Sequence, residues 1–183
     1  MKLQNPLPRL GKRTQLRRLT PADLAAFQSY RQDPEVGKYQ GWTAQSDAWA
    51  EKFLLEMQGA ALFYPGQWLQ LGISELDSNL LIGDIGVCLA NDKTHAEIGF
   101  SMSPNAQGRG LATDAVCTVI DLIFECTEAT QIIGVTDARN LASIKLLERV
   151  GMQRSGSAEA IFRGEPCVEH TYTVARTNSG GVQ

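Results

Sequence analysis

The chain has 183 residues, 43% of them hydrophobic, which suits one ordinary domain with a core of its own. A formal net charge of −3 argues against a nucleic-acid partner, and no apolar run approaches the roughly 20 residues that cross a bilayer. Four cysteines (Cys88, Cys117, Cys126, Cys167) without a C-x-x-C pair and two separated histidines (His95, His170) give no metal spacing, so no metal is expected. Met1–Arg9 lacks an apolar signal core, and the chain reads as soluble, reduced and cytoplasmic. The basic stretch from Lys2 to Arg18 reads as a solvated strand face and loose terminus rather than a docking arm.

Residues 1–12 carry Pro6, Pro8 and Gly11 and are expected to be an irregular lead-in. Arg13–Leu19 alternates as a short strand. Thr20-Pro21-Ala22-Asp23 then opens a helix to about Gln32, with Thr20 as N-cap, Pro21 at the first helical position and Asp23 in the first turn. A second helix is expected over Ala44–Gln58, with Trp49, Phe53, Leu54 and Met57 as its apolar stripe. Gln67–Glu75, Leu80–Leu89 and His95–Ser103 read as an antiparallel meander joined at Asp77-Ser78-Asn79 and Asn91-Asp92-Lys93.

From Gly108 the period becomes helical, with Leu111, Ala115, Val116, Val119, Ile120, Ile123 and Phe124 on one face. Cys117 and Cys126 on this helix are expected to be small buried groups. Gln131–Thr136 is a short β-branched strand suited to a parallel position. Asn140–Val150 is a helix ended by Gly151; Met152–Phe162 and Val168–Arg176 close the fold as strands joined around Gly164. One α+β domain over 13–176 is expected, with a disordered tail over 177–183.

Gln107-Gly108-Arg109-Gly110-Leu111-Ala112-Thr113 lies between a strand and an amphipathic helix. Amides at such a helix start have no intrahelical partner, and glycines let an anion approach without a Cβ in the way. Arg109 adds a mobile positive charge. The same residues also suit a Gly-rich turn that merely starts a helix. A Walker A loop is excluded because no Gly-Lys stands in the right place. A dinucleotide fingerprint is nearly met by Gly108 and Gly110, but Thr113 replaces its third small residue, and too little chain follows Asp137 for a doubly wound sheet.

Gln107–Ala112 resembles the Q/R-x-x-G-x-G/A signature of GNAT acetyltransferases, with Ala112 where glycine is more usual. Ala96–Pro104 is similar to that family's fourth strand and exit proline, and Asn140, Ser143, Leu146, Gly151 and Met152 to its second cofactor motif. Asp33-Pro34-Glu35-Val36 with Tyr39 and Trp42 resembles the branch holding ribosomal-protein N-terminal acetyltransferases. The resemblance implies a GNAT fold: a mixed sheet with an antiparallel N-terminal half, fourth and fifth strands splayed apart, and helices on both faces.

It further implies acetyl-CoA as co-substrate, no metal, and a monomer or homodimer without membrane or nucleic-acid partners. Phe100, Ser101 and Met102 would flank the pantetheine arm, with an amide near Met102 facing the thioester oxygen. Gln107–Thr113 would take the diphosphate, and Asn140 and Ser143 would reach the sulfur end. Glu97 stands where some relatives hold a general base, or it is an exposed strand carboxylate. Many relatives carry a tyrosine acid where this chain has Leu147, which leaves Ser143 as the candidate donor to the thiolate. Tyr39 and Trp42 fall on the substrate wall or pack between the first helices. The expected acceptor is a protein N-terminal α-amine; a small amine such as an aminoglycoside or polyamine, or a non-catalytic acyl-CoA-binding module, are the alternatives.

Overall fold

The structure is a computed structural model and describes residues 6–177. Eight strands form one sheet: β1 (Arg9–Leu10), β2 (Thr14–Arg18), β3 (Trp68–Glu75), β4 (Leu81–Leu89), β5 (His95–Met102), β6 (Gln131–Asp137), β7 (Gln153–Phe162) and β8 (Glu165–Ala175). Their spatial order is β1-β2-β3-β4-β5-β6-β8-β7. All neighbours are antiparallel except β5 and β6, which run parallel. The helices are α1 (Leu24–Arg31), α2 (Pro34–Gly37), α3 (Asp47–Gly59), α4 (Leu111–Cys126) and α5 (Leu141–Arg149).

Strand alternation divides the helices between two faces. On β4 and β5, Ile85, Val87, Leu89, Ala96 and Ile98 face α4, whose Leu111, Ala115, Val116, Val119 and Ile123 are all but fully buried. Each buried Leu, Ile or Val among them contributes about 1.5–3 kcal/mol of hydrophobic stabilisation, and the alanines less. The opposite face carries α1 and α3 over a smaller core of Leu19, Phe27, Tyr30, Ala50, Leu54 and Leu81.

That second face holds a buried polar centre. Asp84 of β4 is 0% exposed and accepts four hydrogen bonds: Tyr30 Oη (2.6 Å), Arg31 Nε (3.0 Å), Arg31 Nη2 (2.7 Å) and Gln70 Nε2 (2.6 Å). The Arg31 guanidinium is held between the rings of Phe27 (4.9 Å) and Trp42 (4.4 Å). This network fixes α1 to the sheet directly opposite Ser101, the register partner of Asp84 on β5.

The local signals hold at most ends. The expected helix start at Pro21 is instead a 3-10 turn over Pro21–Asp23 ahead of α1, in which Asp23 accepts from the Thr20 amide and hydroxyl; Ser46 Oγ accepts from the Trp49 amide, and Gly151 takes a left-handed φ of +90° after α5. Three expectations need correction, and one short helix is additional. Arg9–Leu10 is not irregular but pairs with Gln15–Leu16, through a turn in which the Gly11 amide donates to the Thr14 carbonyl at 2.8 Å. Asp33-Pro34 starts a short helix as well as ending the first one, because the Asp33 carboxylate caps the Glu35 amide at 2.9 Å. Trp49 is 46% exposed, stacked on Phe53 at 5.1 Å rather than buried in the stripe of α3. Cys117 is exposed and Cys126 only half-buried. The expected tail lies, beyond Thr177, outside the described residues.

Candidate active site

The hydrogen-bond phase of β5 sets the site. Ala90 N donates to His95 O (2.9 Å) and Ser103 N to Ile82 O (2.8 Å), so odd-numbered residues of β5 bond to β4. Even-numbered residues therefore point their N–H and C=O groups toward β6. Pairing with β6 runs from His95↔Gln131 to Ile98↔Gly134 and stops there. Beyond it the two strands part, and Phe100 and Met102 present a strand edge to the gap. A cleft of about 600 Å³ opens at this edge, with Phe100, Ser101 and Met102 on one wall.

The start of α4 forms a second part of the cleft. Gln107, Gly108, Gly110, Leu111, Ala112 and Thr113 all line it. Gly108 and Gly110 adopt φ of +70° and +74°, left-handed values that a side chain would strain twice within three residues. Gly110 is the N-cap of α4 and gives no side-chain cap, so the first-turn amides are left to an external acceptor. The first-turn acid, Asp114, is turned away: it accepts from the amides of Lys12 (3.0 Å), Arg13 (3.0 Å) and Thr14 (2.9 Å) and the Thr14 hydroxyl (2.8 Å). Burial would raise its pKa, but these donors outweigh it and hold the carboxyl below its ordinary range.

Arg109 alone among the turn residues does not line the cleft; its guanidinium lies 3.8 Å from Glu75. Positive charge comes from elsewhere. Lys145 and Arg149, one turn apart on α5, line the cleft with Lys38, and the Arg13 guanidinium donates to the Arg109 carbonyl beside Gly110. The i,i+4 spacing of Lys145 and Arg149 is a legible signal that sequence reasoning passed over.

Asn140 and Ser143 reach the cleft from α5. The Asn140 carboxamide oxygen accepts from the Ser143 amide at 3.2 Å, so Asn140 is the N-cap that sets Ser143 on the helix's first turn. Leu147 is 1% exposed and packs on Gly134, where an added Cβ would lie 3.1 Å from its Cδ2. It faces the core.

Tyr39 lines the cleft, together with Gln40, which sequence reasoning missed. Trp42 does not join them. It lines a neighbouring cavity of about 210 Å³ with Phe27, Arg31 and Trp49, and its ring packs against Arg31 and Gly37. Glu97 also lies outside the cleft lining. It sits within the paired part of β5 on the face away from α4, one residue before pairing with β6 ends. Burial pushes its carboxyl above the usual range, Glu169 adds to the effect and His95 opposes it. Partial desolvation, with a neighbouring carboxylate in each case (Glu97, Asp121 and Glu125), raises the thiols of Cys88, Cys117 and Cys126, the reverse of what a nucleophilic cysteine needs. No group of three potential metal ligands forms among the described residues, and no helix there is long and apolar enough to cross a membrane.

A strand edge beside an uncapped helix start suits a ligand that is chain-like at one end and anionic at the other. Residues 13–153 match the family described as acetyltransferase (GNAT) domain. The chain belongs to the GNAT acetyltransferases.

The uncharacterized N-acetyltransferase p20 of Bacillus licheniformis is 30% identical over 79% of this chain and 82% of its own length. Among solved structures, a GNAT-family acetyltransferase from Bacillus anthracis superposes with a TM-score of 0.81 at 22% identity, covering 91% of this chain and 97% of that one. A ribosomal-protein-S5-alanine acetyltransferase from Vibrio fischeri gives 0.76 at 17% identity, covering 90% and 94%. The microcin C7 self-immunity acetyltransferase MccE, solved with acetyl-CoA and AMP, gives 0.75 at 15% identity, covering 90% and 93%. At these identities the structures speak for the fold. Family and fold together make this an acetyl-CoA-dependent N-acetyltransferase.

Proposed function

We propose that this GNAT enzyme transfers acetyl directly to a primary amine, with a protein N-terminal α-amine as the favoured acceptor. The observation that carries the transfer chemistry is the edge of Phe100 and Met102, unpaired with β6, in the same cleft as the uncapped start of α4. First-turn amides from Leu111 to Thr113 and the glycine turn hold the diphosphate. The edge of β5 binds the amide-bearing arm as an added strand, and its Met102 amide donates to the thioester oxygen as charge builds there. Lys145, Arg149 and Lys38 supply cations around the phosphates.

The amine nitrogen must be neutral to attack. An α-amine, with a pKa of about 7.7–8.0, is partly so at neutral pH, whereas a lysine amine at about 10.4 is not. Glu97, on the face of β5 away from α4, takes the amine's proton directly or through a water. As the C–S bond breaks, Ser143 Oγ–H donates to the leaving sulfur, directly or through water. Leu147 packs on Gly134 and offers no proton, so the donor role falls to Ser143.

The acceptor reading rests on the Asp33–Trp42 resemblance and on likeness of fold to the ribosomal-protein-S5-alanine acetyltransferase. A small cationic amine is the second reading: the charge of Glu169 adds to the rise in Glu97's proton affinity, and two carboxylates that repel one another suit a polycation. CoA release measured across an N-terminal peptide library and a panel of soluble amines separates them. Turnover concentrated in peptides with free α-amines is expected; turnover of polyamines or aminoglycosides with none for peptides would remove the favoured acceptor.

A further inference from the structure

Two side-chain carboxamides imitate a strand along the exposed edge of β5. Gln40 Nε2 donates to the Phe100 carbonyl at 3.1 Å, and Gln107 Nε2 donates to the Met102 carbonyl at 3.1 Å. These carbonyls are two residues apart and both point into the gap, the spacing at which a neighbouring strand would offer its amides. An arm that binds as a strand needs those same acceptors. Gln107 belongs to the diphosphate turn, but Gln40 comes from the loop after α2.

The backbone around Gln40 is fixed from a distant element. Arg163, in the turn between β7 and β8, shares the two N–H groups of Nη2 among the carbonyls of Gly37 (3.0 Å), Gln40 (3.2 Å) and Trp42 (3.0 Å). With three carbonyls of one loop gathered on one guanidinium, the loop stays in place while the Gln40 side chain can turn. Its bond to Phe100 is a neutral, half-buried carboxamide contact of the readily exchanged kind.

We propose that Gln40 is a placeholder for the amide of the acyl-CoA arm: it occupies the Phe100 carbonyl when the arm is absent and must swing out for the arm to bind. The inference rests on the proposed binding mode along β5. It assigns Gln40 a positioning role in which its own bond competes with the ligand. Removing the donor should therefore tighten binding, an effect that structural damage would not produce.

The test is CoA affinity by calorimetry for the wild type and Gln40→Met, which keeps length and bulk but cannot donate. A Kd lowered about 3–10-fold is expected from loss of one competing neutral hydrogen bond. An unchanged or raised Kd, with the wild type binding normally, overturns the placeholder and leaves the binding mode standing. A wild type that ignores millimolar CoA overturns both. Should the variant fail to unfold cooperatively, the side-chain amide resonances of Gln40 in the wild type decide: CoA must shift them, and unmoved resonances would reject the role.

Discussion

Replacing Asp84 with alanine should lower the unfolding free energy by about 3–5 kcal/mol, the cost of leaving a buried cation without its partner. Arg31 is 8% exposed and directs two donors at Asp84, while Tyr30, 0% exposed, directs its hydroxyl there. Alanine strands all three donors and that of Gln70 in a site where water does not replace the carboxylate. For a chain of this size the loss corresponds to a fall in Tm of roughly 6–20 °C. In urea the midpoint should drop with the slope unchanged, since the same surface is exposed on unfolding. Because the network is costly to desolvate as well as to break, the double variant Asp84→Leu/Arg31→Met should recover much of the loss. A single-variant loss below about 1 kcal/mol would show that the pair does not anchor α1.

Glu97→Gln should cut kcat at neutral pH by about 10²–10⁴, the usual worth of a positioned base. The base must be ionised to act. Burial first, then Glu169, raises its proton affinity against the opposing pull of His95, so the acid limb of kcat/KM should lie above the ordinary carboxylate range. That limb should vanish in the variant, whose residual rate should climb with pH as the acceptor amine itself deprotonates. The gap between the two enzymes should narrow at high pH. Stability should move the other way. A carboxyl whose folded pKa exceeds its unfolded value costs the fold its ionisation; the cost appears above about pH 4.3, grows up to the folded pKa and is constant beyond it. At pH 7 the glutamine variant should be as stable as the wild type or more so. A flat pH ratio would retire Glu97 as the base, and a loss of Tm would contradict its raised proton affinity in the fold.

Much of this site can be read from the chain because its determinants are local. The period change at Gly108, the two glycines and the Asn140 cap each act within a few residues, and the structure puts Gln107, Gly108 and Gly110–Thr113 in one cleft with Asn140 and Ser143. What could not be read depends on side chains choosing partners far along the chain. Asp84 lies in the apolar run Leu81–Leu89 and meets Tyr30 and Arg31 from more than fifty residues away. Asp114 looks like a first-turn acid for α4, yet it serves the amides of Lys12, Arg13 and Thr14 about a hundred residues earlier. Arg109 sits in the glycine turn, but Glu75 draws it aside. Trp42 shares a loop with Tyr39 and turns to Arg31 instead. Motif spacing fixes where the backbone goes; it does not decide where a long side chain ends.

The most direct measurement is a crystal structure of the protein with CoA. The diphosphate should lie within hydrogen-bond distance of the amides between Gly108 and Thr113, with the pantetheine amides paired to Phe100 and Met102 in the gap beyond Ile98 and Gly134. CoA found instead in the aromatic cavity of Phe27, Trp42 and Trp49, or anywhere off the β5 edge, would contradict the site described here.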